Sequence, residues 1–81
     1  MTLHYTEGFL HALAAVPPEV EKAFFKQAHF LSQNLQHPSL RAKKYDEARG
    51  VWQARMNKYW RFYFRIEGST YHILDILLHP K

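Results

Sequence analysis

Polar and apolar positions alternate most strictly between Trp60 and Ile66. In an extended chain Trp60, Phe62, Phe64 and Ile66 share one side, and Arg61, Tyr63 and Arg65 the other. This run lies between two others rich in aromatic and β-branched residues, one from Val51 and one from Tyr71 to Leu78. Polar breaks at Asn57-Lys58-Tyr59 and Glu67-Gly68-Ser69 separate them. The pattern predicts a three-strand antiparallel meander. A two-residue turn at Lys58-Tyr59 would set Arg55 opposite Phe62 and bring a charge onto the apolar face. A three-residue connection pairs Arg55 with Arg61, Ala54 with Phe62 and Trp52 with Phe64, and the apolar match selects it. A two-residue turn at Gly68-Ser69 pairs Trp60 with Leu77. The last run is apolar at nearly every position, the mark of a strand covered on both faces, so it is expected at the centre of the sheet.

Earlier in the chain the period changes. Leu3-His4-Tyr5 suits a short edge strand, the remaining neighbour for the last run. Thr6 is an N-cap candidate, and Phe9, Leu10, Leu13 and Val16 recur at helical spacing. Pro17-Pro18 ends that helix and starts another, with Glu19 and Glu21 at its positive end. The second helix is predicted to about Asn34 on a stripe of Val20, Ala23, Phe24, Gln27, Ala28, Leu31 and Leu35. Phe25 and Phe30 lie off the stripe and read as the rim of the core rather than a partner surface. Ser39 to Gly50 reads as an ordered loop. The expected fold is therefore α+β: two helices on one face of a four-stranded, mainly antiparallel sheet, ordered first–fourth–third–second, with the first and last strands parallel.

Composition narrows the classes. With 81 residues the chain is expected to form one domain, residues 1–81. There is no cysteine, hence no disulfide framework and no thiolate metal site. His4, His11, His29 and His37 show no metal-ligand spacing with one another or with carboxylates, so neither metal nor cofactor is expected. No apolar run approaches the roughly 20 residues that span a bilayer. The first residues lack a signal pattern, so the cytoplasm is the expected compartment, without a membrane partner.

Charge is unevenly spread. Residues 1–40 carry two lysines against three glutamates, −1, and residues 41–81 carry nine Lys or Arg against four Asp or Glu, +5. The second half therefore points to a nucleic-acid or acidic partner. Directly opposed like charges destabilise a sheet, so Arg55 beside Arg61 on an open face suggests an anion site. A strand arginine facing solvent is ordinarily a solubilising residue, and the pairing weighs against that. His79, just past the last strand, falls near the start of the Arg61 strand, and imidazole exchanges protons near neutral pH. Asp75 reads as a structural carboxylate.

At these residues the chain resembles the RelE/ParE superfamily of toxins. The likeness rests on the strand–two helices–meander plan, the L-R-A-K-K-Y segment, the R-M-N-K-Y-W-R-F-Y-F hairpin and the closing D-I-L-L-H-P-K. It implies a RelE-like fold and a toxin of a type II toxin–antitoxin module, neutralised by a cognate antitoxin. Many members cleave mRNA on the ribosome, whereas the ParE branch poisons DNA gyrase without chemistry. Carried over position by position, the resemblance implies Arg55, Arg61 and His79 as catalytic residues. Lys43, Lys44, Tyr63, Arg65 and Lys81 are candidates for RNA contact, with Glu47 a weaker one. Ribonuclease members commonly continue past the last strand with more basic residues and a tyrosine. Here only Pro80 and Lys81 follow His79, which keeps the gyrase-binding and inactive-homologue readings open and points to Tyr63 or Tyr59 as substitutes.

Overall fold

The computed structural model describes residues 2–79. Its elements are β1 (Thr2–Tyr5), α1 (Glu7–Ala14), α2 (Pro18–Gln33), a 3-10 turn (Pro38–Leu40), β2 (Lys43–Asp46), β3 (Val51–Arg55), β4 (Trp60–Glu67) and β5 (Thr70–Leu78). The strands form one sheet in the order β1-β5-β4-β3-β2, with β1 parallel to β5 and the other pairs antiparallel. The expected order is present with one strand added, so the sheet has five strands rather than four. The addition, β2, was expected as loop. It is short, its residues are largely exposed, and it pairs with β3 through an irregularity between Lys44 and Asp46. Nothing in Lys-Lys-Tyr-Asp offers an apolar face for sequence to reveal.

The helices start where the sequence places them. Thr6 caps α1: its hydroxyl accepts from Phe9 N–H at 3.2 Å and donates to the Ile73 carbonyl at 2.8 Å. One side chain thus ends β1, starts α1 and ties both to β5. Pro18 opens α2, where its missing amide costs nothing. Both helices pack on the Phe62/Phe64 side of the sheet. Phe9, Phe24 and Leu31 are fully buried with Phe62, Phe64, Leu40 and Ile73, and Phe24 meets Phe62 edge to face at 5.3 Å. Phe30 is a rim residue stacked on His37 at 4.0 Å. Phe25 is 46% exposed while its ring meets Phe24 and Tyr5 edge to face at 5.3 and 6.4 Å, at the edge of the core.

The three-residue β3–β4 connection gives the expected pairs Arg55 with Arg61, Ala54 with Phe62 and Trp52 with Phe64. The turn after β4 also falls as expected, with Gly68 at φ +58°, a conformation that favours glycine. Beyond it the register departs from expectation. Phe64 pairs with Ile73 and Tyr63 with Asp75, so Leu74 bulges out and Trp60 meets Leu78 instead of Leu77. The reason is burial. A regular ladder would set Asp75 opposite Phe62 in the core. The bulge places Ile76 there and turns Asp75 to the open face beside Tyr63. The bulge also explains the unbroken apolar run. β5 is central, yet its far side is open at Leu77, 48% exposed, while Leu78, opposite Trp60 on the helix side, is 60% exposed at the strand's end. Among the described residues no helix is long and apolar enough to cross a membrane.

Candidate functional site

The site is built from the β3–β4 hairpin outward. Asn57 Oδ1 accepts from the Tyr59 and Trp60 amides at 2.9 and 3.0 Å, folding the loop back on itself. That turn aims the Asn57 carbonyl at both arginines. It accepts from Arg55 Nε at 3.3 Å and from Arg61 Nη1 at 2.8 Å, and Arg61 Nη1 also reaches the Trp60 carbonyl at 2.9 Å. Two like charges are therefore held side by side by the loop they flank. From the core side, buried Gln27 of α2 donates to the Arg55 carbonyl at 2.8 Å and the Ser39 carbonyl at 3.1 Å. One amide thus fixes the end of β3 and the 3-10 turn together.

Around this frame lies a pocket of about 200 Å³ lined by Arg41, Lys43, Gln53, Arg55, Arg61 and His79. Arg41 enters through a left-handed residue, φ +46°, directly after the 3-10 turn. Lys43 comes from β2, where it pairs with Gln53. His79 is placed by its own N–H, which donates to the Tyr59 carbonyl. No carboxylate is among the described residues that line it. Burial first, then the charges of Arg55 and Arg41, lower the Arg61 guanidinium from its ordinary value, against an opposing effect of Tyr63. An anion entering this pocket relieves that repulsion, and the flat guanidinium forks match phosphate oxygens.

The structure brings Arg55, Arg61, His79 and Lys43 of the sequence candidates together. The remaining candidates lie elsewhere. Lys44 points away, its Nζ 5.3 Å over the Trp52 ring, because neighbouring strand residues face opposite sides. Glu47 sits in the exposed β2–β3 turn. Tyr63 is buried behind the pocket, its hydroxyl donating to Gln53 Oε1 at 3.4 Å. Burial and then Tyr45 push its phenol up, which suits a supporting residue. Arg65 is at the far end of β4, paired with His72. Lys81 lies outside the described residues. Sequence reasoning passed over Arg41, Gln53, Gln27 and Asn57. Only Asn57, the turn-forming residue of the predicted loop, had a local signal.

No protein-family model and no curated protein matches the chain. Solved structures do. A YoeB/ParE toxin from Agrobacterium tumefaciens superposes at a TM-score of 0.78 and 14% identity, covering 99% of this chain and 100% of that one. An archaeal RelE from Pyrococcus horikoshii, solved with RelB, gives 0.80 and 13%, covering 99% and 96%. The RelBE2 toxin–antitoxin complex from Mycobacterium tuberculosis gives 0.74 and 24%, covering 98% and 96%. The fold is that of the RelE/ParE toxins. At these identities the likeness is one of fold, and the chemistry rests on this chain's own residues. Within this RelE/ParE fold, the cationic pocket forms where the β3–β4 loop, the end of β5 and the start of β2 meet.

Proposed function

We propose that the chain is the toxin of a bacterial toxin–antitoxin module, a metal-independent endoribonuclease that cleaves mRNA on the ribosome and stops translation. The observation that carries this reading is the pocket itself. Arg41, Lys43, Arg55 and Arg61 converge with His79, with no carboxylate among the described lining residues, on a fold shared with RelE and YoeB toxins. In the reaction a ribose 2′-hydroxyl attacks the adjacent phosphorus, the P–O5′ bond breaks, and a 2′,3′-cyclic phosphate and a 5′-hydroxyl result. Charge builds on the phosphorane oxygens, and Arg55 and Arg61 stabilise it there. His79, the one imidazole among the described lining residues, carries a proton of the transfer. The cognate antitoxin is the protein partner, as RelB is in the RelB–RelE antitoxin–toxin complex from Methanococcus jannaschii, and an mRNA target places the chain in the cytoplasm.

A second reading has its own observation. Leu10 and Phe25 are 48% and 46% exposed on the two helices, a surface suited to a protein target such as gyrase, bound without chemistry. Pulse labelling after induction separates the two. Lost translation with fragmented mRNA supports the nuclease, and lost DNA synthesis with intact mRNA supports the gyrase reading.

A further inference from the structure

At the other end of the sheet from the cationic pocket, β1 and β5 lie parallel with His4 directly opposite His72. The two Nδ1 atoms are 3.0 Å apart and the rings stand at 84°. The other nitrogen of His72, Nε2, faces Glu67 Oε2 at 3.6 Å. Spacing along the sequence hides this pair, since 68 residues separate its members.

The geometry points to a two-imidazole site for a divalent transition metal, with His4 Nδ1 and His72 Nδ1 as ligands. Two nitrogens bound to one ion at about 2.0–2.1 Å, at angles from square to tetrahedral, are about 2.9–3.4 Å apart. The observed 3.0 Å falls at the square end of that range, the geometry copper(II) prefers. Glu67 supplies the second element of such a site. Glu67 lies within ion-pair distance of Nε2, a position from which a carboxylate favours the proton on that nitrogen and leaves the lone pair of Nδ1 for the metal. His4 is exposed on the edge strand and can turn its ring to aim both lone pairs at one point. Among the described residues no third His, Cys, Asp or Glu joins the pair, so water takes the remaining positions. Arg65, opposite His72 on β4, opposes a cation, and Glu67 offsets that charge. Such an ion clips the first strand of the fold to the last, stabilising the bound state by mass action.

The test uses the purified full chain and copper(II) alone. Electron paramagnetic resonance of the 1:1 mixture is expected to show two equatorial imidazole nitrogens, and the melting temperature to rise with copper concentration. His4→Ala and His72→Ala each lower the affinity at least tenfold and remove the two-nitrogen signature. Glu67→Gln weakens binding by about tenfold, the low end for loss of a carboxylate behind a ligating histidine. If His72→Ala fails to fold, His4→Ala decides, because His4 is an exposed edge residue. An unchanged spectrum and affinity in His4→Ala, or no binding by the parent, overturns the proposal. Neither outcome touches the ribonuclease reading, whose residues lie at the opposite strand ends.

Discussion

One backbone carbonyl, that of Asn57, holds two of the pocket's three guanidiniums, those of Arg55 and Arg61, so single residues separate folding from chemistry here. Arg61→Ala removes a donor to the phosphorane and should lower cleavage by about 10²–10³-fold. It also frees the Asn57 and Trp60 carbonyls, at roughly 1 kcal/mol measured by denaturant unfolding. Arg61→Lys should recover little activity, because a point charge does not replace a fork. Gln27→Leu keeps the volume but strands the Arg55 carbonyl, so it should cost about 1–3 kcal/mol and loosen Arg55 without touching the substrate. Arg55, Arg61 and His79 were legible because strand parity and a hairpin register fix which side chains share an end. Arg41 was not, since its position depends on one left-handed residue. Gln27 stood within an apolar stripe, and nothing in the stripe tells a packing amide from a tethering one. Lys44 was misjudged because its side depends on how β2 pairs, and β2 itself was unseen.

Among the elements, β5 shows how burial overrides a regular ladder. The turn at Gly68 was readable from the sequence, but the Leu74 bulge was not, because only the core's rejection of Asp75 demands it. Deleting Leu74 should therefore regularise the strand and leave Ile76, Leu77 and His79 on their present sides. The register account predicts a folded variant whose amide spectrum changes mainly around residues 62–64 and 73–76, and an unfolded variant contradicts it. At the other end of the same strand, Thr6→Ala loses the α1 cap and the bond to Ile73, and should cost about 1 kcal/mol or somewhat more in unfolding experiments.

For the molecule as a whole, charge and burial set the response to solution conditions. Four of the nine basic residues of the second half line the cationic pocket, so inorganic phosphate should raise the melting temperature, and less so in Arg55→Ala. Alkali should act through tyrosines. Burial raises the Tyr5, Tyr63 and Tyr71 phenols above their ordinary value. The folded state therefore holds protons that the unfolded chain releases near pH 10. Stability from these groups is fully present below about pH 10 and falls as pH rises past it. A stability profile by denaturant from pH 7 to 11 should show that decline, reduced in Tyr63→Phe.

The measurement that bears most directly on the central claim is the mapping of RNA ends after incubation with translating ribosomes. The parent chain should leave discrete 5′-hydroxyl and 2′,3′-cyclic phosphate ends in mRNA, and folded Arg55→Ala, Arg61→Ala and His79→Ala should leave few or none. Intact mRNA with the parent chain, or cleavage undiminished in all three folded variants, would contradict the assignment of this pocket as a ribonuclease site.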